Sequence, residues 1–179
     1  AGDVNDDGID DIIIGAPQTS SYGEQQPSAS YVVFGSKTVT ISELELSSLD
    51  GSNGFKINGV SRNDLSGFSV SSAGDVNRDG IDDIIIGAPL AEPNGTFKAG
   101  ESYIVFGSNI RIETEMNLSS LDGLNGFKIN GDEIGGRVGY SVSAAGDFNG
   151  DGFSDVIIGA KEASPNGDSH KAGITYIVF

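Results

Sequence analysis

The 179-residue chain contains no cysteine, which excludes a disulfide framework, thiol nucleophiles and thiolate metal centres. Histidine is nearly absent as well. His170 stands alone in a variable loop, so zinc or copper coordination has too few nitrogen ligands, and a lone histidine there is expected to be solvated, not catalytic. No G-x-S-x-G nucleophile elbow occurs, and the chain is not expected to be an enzyme. No apolar run approaches the ~20 residues that a membrane-spanning helix needs, and no basic n-region of a signal peptide opens the chain. Basic residues are scarce: ten Lys and Arg stand against 26 Asp and Glu, for a formal net charge of −16. Such a surface repels nucleic acid and anionic lipid and attracts cations. Neither a nucleic-acid partner nor membrane insertion is expected. The chain starts on Ala1 and stops at Phe179 inside an apolar run, so both ends are expected to be cuts.

What is abundant is glycine, with 27 residues, beside an apolar share of 37%. That mixture points to many short strands joined by tight turns. The strands repeat. GDVNDDGIDDIIIGAP (Gly2 to Pro17) returns as GDVNRDGIDDIIIGAP (Gly74 to Pro89) and, altered, as GDFNGDGFSDVIIGAK (Gly146 to Lys161). Asp3, Asp75 and Asp147 are each 72 residues apart, and YVVFG at Tyr31 recurs as YIVFG at Tyr103 with the same period. SSLDG (Ser47, Ser119) and FKING (Phe55, Phe127) keep that register. Repetition on this scale is the mark of a modular architecture.

Each unit reads as a four-stranded meander, A to D. Strand A (Phe68 to Ala73, Tyr140 to Ala145) is rich in Ser and Ala, as suits a strand crowded near a central axis. Strand B (Asp11 to Ala16, Asp83 to Ala88) is an unbroken Ile run, expected where both faces are buried. Strand C is SYVVF or SYIVF, β-branched and aromatic. Strand D is FKIN, with Lys56 and Asn58 on the face opposite Phe55 and Ile57; an outward lysine protects an exposed edge from pairing. One small sheet cannot bury its own faces, and radial stacking of such sheets as propeller blades solves the problem. A β-helix has far shorter repeats, and sandwiches do not repeat at this spacing. The expected fold class is all-β, blades of four antiparallel strands from a β-propeller. The units divide as residues 1–59 (loop and strands B, C and D), 60–131 (a complete blade) and 132–179 (strand A, loop, B and C).

Twelve acidic residues fall in three nine-residue segments between strands A and B, with the pattern D-x-N-x-D-G-x-x-D. The first comprises Asp3, Asn5, Asp7, Gly8 and Asp11, the second Asp75, Asn77, Asp79, Gly80 and Asp83, and the third Asp147, Asn149, Asp151, Gly152 and Asp155. Calcium takes six to eight hard oxygens at about 2.3–2.6 Å. Positions 1, 3 and 5 supply side-chain oxygens, and glycine at position 6 permits a sharp turn. That turn brings the position-7 carbonyl of Ile9, Ile81 or Phe153 to the ion, and Asp at position 9 closes the shell. Magnesium is less suited, because it keeps its waters. An EF-hand shares the opening of this pattern but runs to a Glu at position 12 and into a helix; here the loop enters a strand. A plain solvated Asp/Asn/Gly turn is the other reading, opposed by three copies that keep the ligand positions while positions 4 and 8 vary. With Gly150 and Ser154 in place of Arg78 and Asp82, the third loop is expected to hold its ion less tightly than the second.

GFSVSSAGDVNRDGIDDIIIGAP followed by SYIVFG resembles the FG-GAP repeat of integrin α-subunit propellers and their bacterial relatives. GAP is literal at Gly15-Ala16-Pro17 and Gly87-Ala88-Pro89 and becomes Gly159-Ala160-Lys161, while FG stands in reversed order at Gly67-Phe68 and Gly139-Tyr140. The resemblance implies a seven-bladed propeller with calcium in the A–B loops, and extends over essentially the whole chain. The unit is longer than the family norm, the surplus lying between strands C and D around Thr38 to Asn53. A meander puts A–B and C–D loops on one rim and B–C and D–A loops on the other. The B–C loops (Gln18 to Ser30, Leu90 to Ser102, Glu162 to Thr175) differ between copies, and variable loops on a rigid scaffold suit binding. The expected function is extracellular recognition or cell adhesion, with an extracellular protein or carbohydrate ligand and the remaining blades of the propeller as partners. The alternative is an accessory propeller of a secreted hydrolase. Calcium loops of this kind fill outside cells, so an extracellular or cell-surface location is expected.

Overall fold

The computed structural model describes residues 1–17, 28–38, 43–110, 113–165 and 171–179. Among them the chain is all-β, with short 3₁₀ turns and no α-helix. The central blade is an antiparallel sheet of β4 (Ser69–Gly74), β5 (Asp83–Ala88), β6 (Glu101–Val105) and β8 (Gly126–Asn130), in that order. Before it stand β1 (Ile12–Ala16), β2 (Ala29–Val33) and β3 (Gly54–Asn58), and after it β9 (Val138–Gly146), β10 (Asp155–Ala160) and β11 (Ile174–Val178). These three sheets are consecutive blades of a β-propeller.

Strand β5 shows why an unbroken isoleucine run is required. Ile84 and Ile86 face a core shared with the preceding blade, containing Val32, Phe55 and Ile57. Ile85 points the other way, into a core with Val156, Ile158 and Ala160 of the following blade. Side chains alternate along a strand, so a blade packed on both faces needs apolar residues at every position. All six residues of β5 are buried.

The glycines that give the repeat its signature are where adjacent blades touch. A Cβ on Gly87 would stand 2.1 Å from the carbonyl oxygen of Gly139, and one on Gly15 would stand 2.0 Å from that of Gly67. Gly67 and Gly139 themselves take φ of +83° and +82°, a region that side chains disfavour. The Ser69 hydroxyl adds a 2.8 Å hydrogen bond to Gly139 O across the same seam. Only backbone fits there.

One strand was not anticipated. Residues Glu115–Asn117 form β7, which pairs in parallel with β3 of the preceding blade. The surplus length between strands C and D thus reaches back over its neighbour's outer edge and crosses the expected division at 59/60. Lys56 therefore guards no open edge: its ammonium lies 3.9 Å from Glu115, and Asn58 donates to Glu115 at 2.9 Å.

Candidate metal centre

Each Asp-rich segment joins strand A to strand B as a curled loop whose side chains accept its own amides. In the second, Asp75 accepts the N–H groups of Asp79 and Gly80 at 3.0 and 2.9 Å. Asn77 Oδ1 accepts from Asp79 at 2.9 Å, and Asp79 Oδ1 from Ile81 at 2.9 Å. The first loop repeats this set through Asp3, Asn5 and Asp7. The third keeps it with one change: Asp147 Oδ1 accepts from Gly150 at 2.7 Å. Positions 1, 3 and 5 are brought together in every copy, their oxygens toward the solvent rim. The carbonyls of Ile9, Ile81 and Phe153 accept no hydrogen bond among the described residues.

Position 9 is placed differently from positions 1, 3 and 5. Asp83 is fully buried, and its two oxygens accept N–H groups from Val76 at 2.8 Å and Gly107 at 2.9 Å. Asp11 does the same with Val4 and Gly35. This aspartate fastens the A–B loop to the start of the C–D connection, so both lie at one end of the blade. Asp155 holds Phe148 N–H at 2.7 Å, while its Oδ1 is buried without a partner among the described residues. Among the described residues no three His, Cys, Asp or Glu side chains converge as a metal cluster. The sequence pattern missed Gly35 and Gly107 as amide donors, although the period of the FG pair after strand C marks both.

Burial pushes the Asp83 carboxyl up to about 6, with the Asp79 and Asp75 carboxylates adding to the rise against the two amide bonds that lower it. Burial likewise raises Asp11. The exposed Asp151 is held below its usual range, first by the Phe153 amide, then by Asn149 and by the charge of Arg78. An ionised Asp83 at neutral pH is thus a buried negative charge near two others, a deficit that a bound cation offsets. The donor set is oxygen throughout, and it fits a hard divalent ion.

Positions 4 and 8 have roles of their own. Position 4 sits at positive φ, +59° at Asp6 and +61° at Arg78. Gly150, at +79°, therefore relieves strain in the third loop instead of loosening it. Position 8 serves the loop of the preceding blade: Asp82 Oδ2 accepts the N–H of Asp3 at 3.0 Å, and Asp82 N–H donates to Asp3 O at 3.2 Å. Ser154 N–H donates to Asp75 O at 3.0 Å, and the Arg78 guanidinium lies 5.4 Å from the centre of the Phe153 ring. The exchange of Asp82 for Ser154 therefore bears on the second loop, which Ser154 caps, and not on the third, whose expected weakness gets no support from it.

Of the variable loops, Leu90 to Ser102 is described and carries an exposed Phe97 with the Lys98 ammonium 4.8 Å above its ring. Residues 18–27 and 166–170, including His170, lie outside the described residues. No helix among the described residues is long and apolar enough to cross a membrane.

The FG-GAP repeat model matches residues 1–33, 66–105 and 138–178. The chain is 34% identical over 181 aligned residues to integrin alpha pat-2 of Caenorhabditis elegans, covering 99% of this chain and 13% of that protein. It is 26% identical over 181 residues to integrin alpha-PS2 of Drosophila melanogaster, covering 98% of this chain and 11% of that protein. It is also 32% identical over 111 residues to phosphatidylinositol-glycan-specific phospholipase D of Mus musculus, covering 62% of this chain and 12% of that protein. The chain spans about an eighth of the length of these curated relatives. Three matched repeats, with glycines meeting at each blade seam, make this chain a member of the FG-GAP repeat family.

Proposed function

We propose that each A–B loop holds one calcium ion and that the chain is part of an extracellular recognition propeller. The reading rests on one observation: three loops independently gather the oxygens of positions 1, 3 and 5 and leave the position-7 carbonyl unpaired among the described residues. The ligands are Asp3, Asn5, Asp7 and the Ile9 carbonyl in the first loop, with Asp11 behind them. Asp75, Asn77, Asp79, Ile81 and Asp83 form the second set, and Asp147, Asn149, Asp151, Phe153 and Asp155 the third. Calcium tolerates the irregular oxygen cage and added water that such loops offer, whereas magnesium demands a near-ideal octahedron.

The ions stiffen one rim, and the B–C loops of the other rim meet an extracellular protein or carbohydrate. Further blades of the same propeller complete the ring, at the cell surface or outside the cell. Similarity to integrin α subunits favours adhesion without catalysis. Similarity to a phospholipase supports a second reading, an accessory propeller beside a secreted hydrolase. Calorimetric titration tests the metal assignment: calcium should fill three sites, and Asp79→Ala should remove one. An unchanged stoichiometry in that variant would refute it.

A further inference from the structure

The pentapeptide Gly-Phe-Lys-Ile-Asn occurs twice without a change, as β3 and as β8. In β3 it is covered by β7: Phe55 is 5% exposed and Ile57 fully buried. In β8 Phe127 and Ile129 are half-buried, Lys128 and Asn130 are exposed, and the strand is the outer edge of its sheet. The covering segment also occurs twice. Glu43-Leu44-Glu45 stands at the position of Glu115-Met116-Asn117, one period earlier, and pairs with no strand among the described residues.

That unpaired copy is already shaped like the paired one. Glu45 has extended φ and ψ of −80° and 118° and leads into the 3₁₀ turn Leu46–Ser48, as Asn117 leads into Leu118–Ser120. Ser48 Oγ donates to Glu45 O at 2.7 Å, and Ser120 Oγ to Asn117 O at 2.7 Å. Asp50 N–H donates to Asn53 Oδ1 at 3.0 Å, and Asp122 N–H to Asn125 Oδ1 at 3.1 Å. The shape of this segment is thus set by its own turn and does not require the strand it covers.

We infer that the β8 edge is a docking site for the Glu43–Glu45 segment of an adjoining repeat unit, which in a solution of this chain is a second copy. The segment adds as a parallel fifth strand in the register of β3 and β7, where Lys56 faces Glu115 and Asn58 faces Asn117. Lys128 then faces Glu43, and Asn130 faces Glu45. Lys128 already holds Glu101 at 3.3 Å, a residue whose counterpart is Ala29, so Glu43 joins an existing ion pair. Backbone groups of the edge gain partners, the general basis of strand addition. Leu44 takes the place that Met116 fills against the core of the first two blades. The contact is heterologous, head to tail, so it propagates from unit to unit. It uses no metal ligand and stands apart from the calcium assignment.

The absence of cysteine makes the test clean. Asn130→Cys protein is mixed with mass-tagged Glu45→Cys protein under mild oxidation, and disulfide-linked heterodimers are counted. Leu44→Cys protein, whose thiol lies on the opposite face of the added strand, is the control. Register pairing brings Cα atoms within disulfide range, so position 45 should cross-link at least tenfold faster than position 44, and urea should abolish the preference. Equal rates for the two positions, or no cross-linking beyond the rate in urea, would overturn the proposal.

Discussion

The first two units share DIIIGA and GFKIN residue for residue, yet they are exposed in opposite places. In the first, strand B (β1) has β2 as its one strand neighbour among the described residues and Ile12 is 60% exposed, while the outer strand β3 is covered. In the second, Ile84 is 2% exposed between β4 and β6, and the outer strand β8 has no further strand beside it among the described residues. Identical strings with different burial show that this repeat encodes faces, and that neighbours decide which faces are satisfied. Stability in such arrays is a sum of unit terms and interface terms.

The sharpest contrast lies in strand B. Ile85→Ala should cost about 2–5 kcal/mol, the range for truncating a fully buried isoleucine, whereas Ile12→Ala should stay within about 0.5 kcal/mol. Urea denaturation of the two variants makes the comparison, and equal losses would contradict this difference in burial. The seam glycines give a smaller difference. Gly87→Ala drives a Cβ onto the backbone oxygen of Gly139, while Gly159→Ala meets only the Ser141 hydroxyl at 2.4 Å, which can rotate away. Overpacking of the first kind costs about 1–3 kcal/mol, and thermal melts should rank Gly87→Ala well below Gly159→Ala. Smallest is the effect of Asp82→Ala. Losing its bond to Asp3 N–H, worth about 1 kcal/mol, should weaken calcium binding at the first loop several-fold. The second loop, where Asp82 itself resides, should be nearly unaffected. Titrations in Asp79→Ala and Asp7→Ala backgrounds separate the two loops.

Most of the fold was legible because the period is long and its signals are local. The Ile run announced a sheet buried on both faces, whereas the glycines of Gly-Ala-Pro and Gly-Phe stood in the sequence as motif letters alone, and their close contact at the blade seam is a finding of the structure. The loop pattern likewise announced gathered oxygens at positions 1, 3 and 5. What was not legible depends on the adjoining unit. Lys56 reads as edge protection until Glu115 is seen beside it. Asp82 reads as an extra charge for its own loop until its carboxylate is found on Asp3. The exchange of Arg78 for Gly150 reads as a weakening of the third loop, although position 4 is constrained by a positive φ. Contacts between units leave no spacing signal within one unit, so a repeat read alone hides them.

The central claim is that calcium completes these loops, and a thermal melt of the chain in millimolar calcium, in magnesium and in chelator tests it most directly. The nine Asp carboxylates at positions 1, 5 and 9 repel one another without a cation, and each ion at about 100 times its dissociation constant adds about 2.7 kcal/mol. At about 2–4 °C per kcal/mol for a domain of this size, calcium should raise Tm by about 5 °C or more over chelator, and magnesium by clearly less. Coincident melting curves in calcium and chelator would contradict the account.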